Sequence, residues 1–115
     1  MAQAIFRQVA GLSRSTTGTQ DYTIPGAFGG GTPKAALIFM SGATVADAQG
    51  GHRPSIGLVA TDGSQCCFTQ RENSAQSRSQ TMRQSSGTSC ISMINDYTSL
   101  LMSGEFSAWV PDGIR

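Results

Sequence analysis

Ser55-Ile56-Gly57-Leu58-Val59-Ala60-Thr61 runs into Asp62-Gly63, and Gln65-Cys66-Cys67-Phe68-Thr69-Gln70 follows. Two β-rich segments joined through an Asp-Gly dipeptide are a strong short-range sign of a hairpin, because both turn residues tolerate positive φ. Side chains alternate along a strand, so Cys66 and Cys67 face opposite sides of it, one inward and one outward.

On either side the same pattern of short strand signals between turn markers repeats. Residues 5–9 are expected to form a first strand, and residues 19–24 a second, with Tyr22 and Ile24 alternating with polar neighbours before the Pro25-Gly26 break. The glycines Gly29, Gly30 and Gly31 lead through Pro33 into the apolar run at 35–40, whose lack of alternation predicts a central strand buried on both faces. Beyond the hairpin, residues 89–94 read as a strand, and residues 97–102 as a strand or a single helical turn. Ser103-Gly104 reads as a turn. Residues 105–110 then place Phe106, Ala108 and Val110 on one face and Trp109 on the other. After the turn Pro111-Asp112-Gly113, Ile114-Arg115 either open a strand that continues or pair elsewhere. About seven or eight short strands and no long helix predict an all-β fold, an antiparallel β-sandwich of jelly-roll type, as a single domain over residues 1–115.

The composition fits a thin core. Leu, Ile, Val and Phe number only 21 of 115 residues, while Ser, Thr, Gln and Gly dominate. So small an aliphatic share signals disorder only when joined to high net charge. Here the net charge is +1 and 13% of residues are charged, so a folded polar chain is expected. Near-neutrality offers no electrostatic footprint for a phosphate backbone, which argues against nucleic acid as a partner. The apolar run at 35–40 is far too short to span a bilayer, which argues against membrane insertion. The N-terminus lacks a basic leader followed by a long apolar stretch, and synthesis in a cytoplasm is the expectation.

Residues 71–87 stand apart: 17 positions without Leu, Ile, Val or an aromatic residue, carrying three of the seven arginines. The segment is expected as a polar loop, an exposed edge strand, or an arm that docks on a neighbouring subunit. In the last case Arg71, Arg78 and Arg83 make bidentate polar contacts there. Trp109 is a candidate anchor aromatic at a subunit contact, or with Tyr22 or Tyr97 a platform for stacking a glycan.

Catalytic and ligand-binding signals are weak. His52, the only histidine, sits in a turn with no obvious nucleophile beside it, and fifteen serines make any triad reading uninformative. Cys66, Cys67 and Cys90 lack a Cys-x-x-Cys pair and predict free thiols, with an outward one available to link subunits. The carboxylates form no calcium loop, and residues 26–31 match neither phosphate-binding glycine pattern. No catalytic residue, metal or cofactor is expected.

Two stretches, Thr17-Gly18-Thr19-Gln20-Asp21-Tyr22-Thr23-Ile24-Pro25-Gly26 and Thr32-Pro33-Lys34-Ala35-Ala36-Leu37-Ile38-Phe39-Met40, carry a family resemblance. It extends to Ser55-Ile56-Gly57, Asp62-Gly63 and the closing Phe106-Ser107-Ala108-Trp109-Val110-Pro111-Asp112-Gly113-Ile114-Arg115. Together these resemble a poorly characterised group of bacteriophage and prophage virion proteins with β-sandwich modules. The resemblance covers about half the chain, and its motifs are strand and turn signatures. It implies a place in a fibre, a spike or a capsid decoration of the virion, assembled in the host bacterium. It also implies a further strand after the Asp-Gly-Ile-Arg turn, which leaves open whether a neighbouring chain supplies one.

The composition points the same way, because a low-charge chain with a thin core gains stability by burying surface against neighbours. The expectation is a non-enzymatic, self-assembling structural subunit. Its partners would be copies of itself and other virion proteins. The alternative is a lectin-like module that binds a host-surface glycan.

Overall fold

The computed structural model describes residues 5–9, 11, 16–41, 53–73, 80–94 and 100–115. Nine strands run through them: β1 (Tyr22–Thr23), β2 (Ala36–Ser41), β3 (Pro54–Val59), β4 (Gln65–Asn73), β5 (Gln80–Ser86), β6 (Ile91–Ile94), β7 (Leu100–Gly104), β8 (Trp109–Val110) and β9 (Gly113–Ile114). Every pairing is antiparallel, and the described residues contain no helix. The fold is all-β and sandwich-like, as the sequence predicts. Its contacts divide into two units, Ala35–Glu105 and a second made of Met1–Lys34 with Phe106–Arg115.

In the Ala35–Glu105 unit, β2, β3, β4 and β5 form a four-stranded sheet in that order, and β6 and β7 form a two-stranded ribbon. The β3–β4 hairpin closes as expected. The Ala60 amide donates to the Ser64 carbonyl at 2.8 Å, and the Asp62 carboxylate accepts the Ser64 amide at 2.9 Å. Residues directly opposite each other on paired strands share a face. Ser55, Gly57 and Val59 therefore lie beside Cys67 and Thr69 on one face, with Met82 further along it. All six are buried, and strand β6 packs on β3, β4 and β5.

That interior is thin. At Gly57 the chain has no β-carbon, and one placed there would run into the Cys90 carbonyl just ahead of β6. Backbone thus meets backbone, and only small side chains fit around the contact. The Ser92 amide donates to the Ser55 hydroxyl at 3.2 Å, and the Cys67 thiol lies 3.3 Å from the Ser92 hydroxyl. These bonds satisfy polar groups whose burial would otherwise be costly.

In the other unit, β9 pairs with β1 on one side and β8 on the other. Ile114 therefore finds its partners, Tyr22 and Trp109, within the chain.

Several strand assignments change. Strand β2 is an edge of its sheet with alternating exposure, so the run at 35–40 is not buried on both faces. Residues 5–9 are exposed and form no strand. Strand β1 covers only two residues of the expected 19–24, and β8 only two of 105–110. Ser103 and Gly104 belong to β7, where Gly104 pairs with Ile91, so they make no turn. Of residues 71–87, of which 74–79 lie outside the described residues, Arg71 to Asn73 end β4 and Gln80–Ser86 form β5, which pairs with β4 along its length, so the described stretches adopt the edge-strand alternative. Backbone pairing and burial of Met82 hold this segment despite its polar composition.

Replacing Gly57 by Ala is expected to destabilise the fold by about 2–3 kcal/mol, the scale of overpacking a tight interior. The same change at Gly87, where a β-carbon meets nothing within 4 Å, should stay within about 0.5 kcal/mol. Urea unfolding of the two variants checks the difference.

Candidate functional site

On β3 and β4 the inner positions around Gly57 are mostly small, and the large apolar side chains Ile56, Leu58 and Phe68 emerge on the other face, joined by Leu37 and Phe39 of β2. Phe39 is 71% exposed, Leu37 56%, Leu58 51%, Ile56 45% and Phe68 44%. Register places them in two rows across the sheet, Leu37–Leu58–Cys66 and Phe39–Ile56–Phe68. The second row ends at Ser85 on β5. A shallow groove runs along this face between Ile56, Leu58, Cys66, Phe68 and Ser85. Taking roughly 200 Å² for each large side chain fully exposed, the five leave roughly 500 Å² of apolar surface open. Single exposed apolar residues are ordinary on soluble proteins; a contiguous patch of this size equals the largest patch of a typical monomer, which is often a functional surface.

The arginines singled out in the sequence do not form one patch. Arg71 pairs with Met82 and shares the buried side of the sheet, where its Nε finds no hydrogen-bond partner among the described residues. Arg83, one position along β5, is exposed on the opposite side, level with Gln70. Alternation along the paired strands separates the two, and Arg78 lies outside the described residues. Trp109 belongs to the other unit and is half-buried, its ring packed on Phe106 at a centroid distance of 4.9 Å and an interplanar angle of 53°. Phe106 and Trp109 thus meet instead of taking opposite faces, since residue 106 precedes the regular strand.

Cys66 is exposed on the apolar face, whereas Cys67 and Cys90 are buried, and all three are free thiols. Burial pushes the Cys90 thiol above its ordinary value, which keeps it protonated and unreactive. Among the described residues no three His, Cys, Asp or Glu side chains gather into a metal-binding group. His52 and Tyr97 lie outside the described residues.

A polar cluster lies in the Phe106–Arg115 portion of the chain. The Asp112 carboxylate accepts the amides of Gly26 at 2.9 Å, Phe28 at 2.8 Å and Gly30 at 3.1 Å. Its own amide donates to the Gly31 carbonyl, and its carbonyl accepts the Ile24 amide. Gly26, Gly29 and Gly30 have positive φ, the conformation that turns these amides toward one acceptor and that residues with a β-carbon rarely take. The three donors hold the Asp112 carboxyl below the usual aspartate range. Nearby, Arg115 forks onto Asp21 at 2.6 and 3.0 Å, and that contact lowers the Asp21 carboxyl as well. The carboxylate site is already filled by the chain itself, so this cluster ties the glycine loop to the C-terminal hairpin and leaves no open ligand position at those amides.

Compared with protein-family models, curated proteins and solved structures, the chain matches none.

Sequence reading missed Leu37, Phe39, Ile56, Leu58 and Phe68 as surface residues. The available signal was Gly57 between Ser55 and Val59, opposite Cys67 and Thr69. This alternate set is too small to be the solvent side of an ordinary strand, and small enough to admit another backbone.

The Asp112 anchor generates a pH prediction. Its folded value lies below the unfolded one, so its stabilisation is complete above about pH 4 and is lost as pH falls through the folded value. The amide proton shifts of Gly26, Phe28 and Gly30 should titrate together, with a common midpoint below an ordinary aspartate's 3.8. Independent midpoints, or one above that value, would contradict the shared carboxylate.

Proposed function

We propose that the chain is a non-enzymatic structural subunit of a bacteriophage particle, a self-assembling β-sandwich piece of a capsid decoration, fibre or spike. The exposed apolar face of the four-stranded sheet carries this reading. A protein that acted alone would leave that surface against water at a standing free-energy cost, whereas an assembly covers it. The low charge and the thin interior support the same reading, because association then supplies burial that the monomer lacks. The likeness of the strand and turn signatures to phage virion proteins supplies the biological setting. Arg83, at the polar margin of the face, is suited to contacts with other particle proteins, and its guanidinium offers several donors in a fixed plane.

Light scattering over a hundredfold concentration range tests the assembly half of this proposal. A native mass of two or more copies at the upper concentrations, falling toward the monomer on dilution, is the expected result. A 12.0 kDa monomer at every concentration would overturn it. The setting is tested by mass spectrometry of purified particles from an infected culture. The chain is expected there in multiple copies per particle, and its restriction to the soluble lysate would contradict the placement.

A further inference from the structure

We propose that the partner of the apolar sheet face is the same face of a second copy of this chain, packed sheet on sheet about a twofold axis. The inference rests on the structural-subunit reading and specifies which surface closes the first contact.

Three observations carry it. The first is area. A stable interface buries roughly 800 Å² per partner, of which somewhat over half is apolar. The five large side chains supply roughly 500 Å² of apolar surface, and the polar positions on the same face, Gln70, Arg83 and Ser85, lie where a rim would be. The patch therefore supplies apolar surface on the scale that one side of a stable dimer buries.

The second is charge. Both rows, Leu37–Leu58–Cys66 and Phe39–Ile56–Phe68, are free of ionisable groups apart from the Cys66 thiol. Such a surface offers nothing to a phosphate, a carboxylate-rich peptide or a basic segment. It matches another neutral apolar surface, and a twofold contact sets the patch against its own copy. The only arginine described on that side, Arg83, lies on the edge strand β5, where solvent screens it from its symmetry mate.

The third is shape. The face is one side of a continuous sheet whose residues project in rows, and two such faces interdigitate at the spacing of ordinary stacked sheets, about 10 Å. The other side of the sheet is already occupied by β6, held by the Gly57 contact. Dimerisation would thus give the four-stranded sheet cover on both sides.

Two measurements test this. Leu58 is central, on an interior strand, and half exposed, so Leu58→Lys removes the face contact without touching strand-edge hydrogen bonding. Its apparent dimer dissociation constant should rise at least a hundredfold in light scattering. In the unmodified chain, Cys66 is the exposed thiol and Cys67 and Cys90 are buried, so a water-soluble maleimide reports on this face alone. Its reaction with Cys66 should slow at least tenfold as concentration is raised through the association midpoint. Wild-type protein that assembles while Cys66 keeps its dilute reactivity would overturn the face contact and leave self-assembly standing. Assembly of Leu58→Lys at wild-type affinity would do the same. A wild-type monomer at every concentration would instead remove the structural-subunit reading itself.

Discussion

The contact between Gly57 and the Cys90 carbonyl governs the larger unit of this protein. It brings the chain entering β6 onto β3 so closely that no β-carbon fits between them. Ordinary sandwiches separate their layers by about 10 Å and fill the gap with large apolar side chains. Here Ser55, Cys67, Thr69 and Ser92 line the gap beside Val59, Met82, Met93 and Ile94, and side chain hydrogen bonds do part of the holding. Strand geometry then leaves the large residues at the alternate positions one place to go. With period 2 along each strand, fixing Ser55, Gly57 and Val59 inward sends Ile56 and Leu58 outward, and cross-strand register aligns Leu37, Phe39 and Phe68 with them. A thin interior and an apolar exterior are two consequences of one constraint.

This relation reconciles the composition with a folded chain. Few aliphatic residues are present, and several of the largest are not in the core at all. The monomer's own burial is correspondingly modest, and association becomes part of the stability of the fold. The second unit is held differently, by polar geometry more than by apolar burial. Asp112 gathers three amides of the glycine loop, Arg115 grips Asp21, and β9 sits between β1 and β8. The unit is short of strand length and long in turn chemistry, which suits its positive-φ positions at Gly18, Gly26, Gly29, Gly30 and Asp112.

Much of the fold is legible in the sequence where local chemistry decides it. The Asp62-Gly63 turn fixes the β3–β4 hairpin, and alternation correctly separates Cys66 from Cys67. What fails is the assumption that apolar means inside. The run at 35–40 reads as doubly buried because Leu37 and Phe39 are as hydrophobic as Ile38 and Met40, yet the two sets face water and interior respectively. Residues 71–87 leave loop, edge strand and arm open in the sequence because strand β5 is stabilised by its backbone ladder and one buried side chain, Met82, and not by a hydrophobic pattern. The Asp112 anchor is invisible for another reason: its partners lie more than 80 residues away along the chain. The candidate face is legible only once Gly57 is recognised as a contact point, because its residues mimic a core.

The central claim is the direction in which β3 faces, and methyl relaxation by a soluble paramagnetic probe in the Leu58→Lys variant, whose apolar face is left uncovered, tests it most directly. Ile56 and Val59 lie three residues apart on one strand and must take opposite sides. The account requires strong broadening of the Ile56 methyls and protection of those of Val59. Protection of Ile56 with broadening of Val59 would place the large residues inside, and the thin interior, the apolar face and the assembly built on it would all be contradicted.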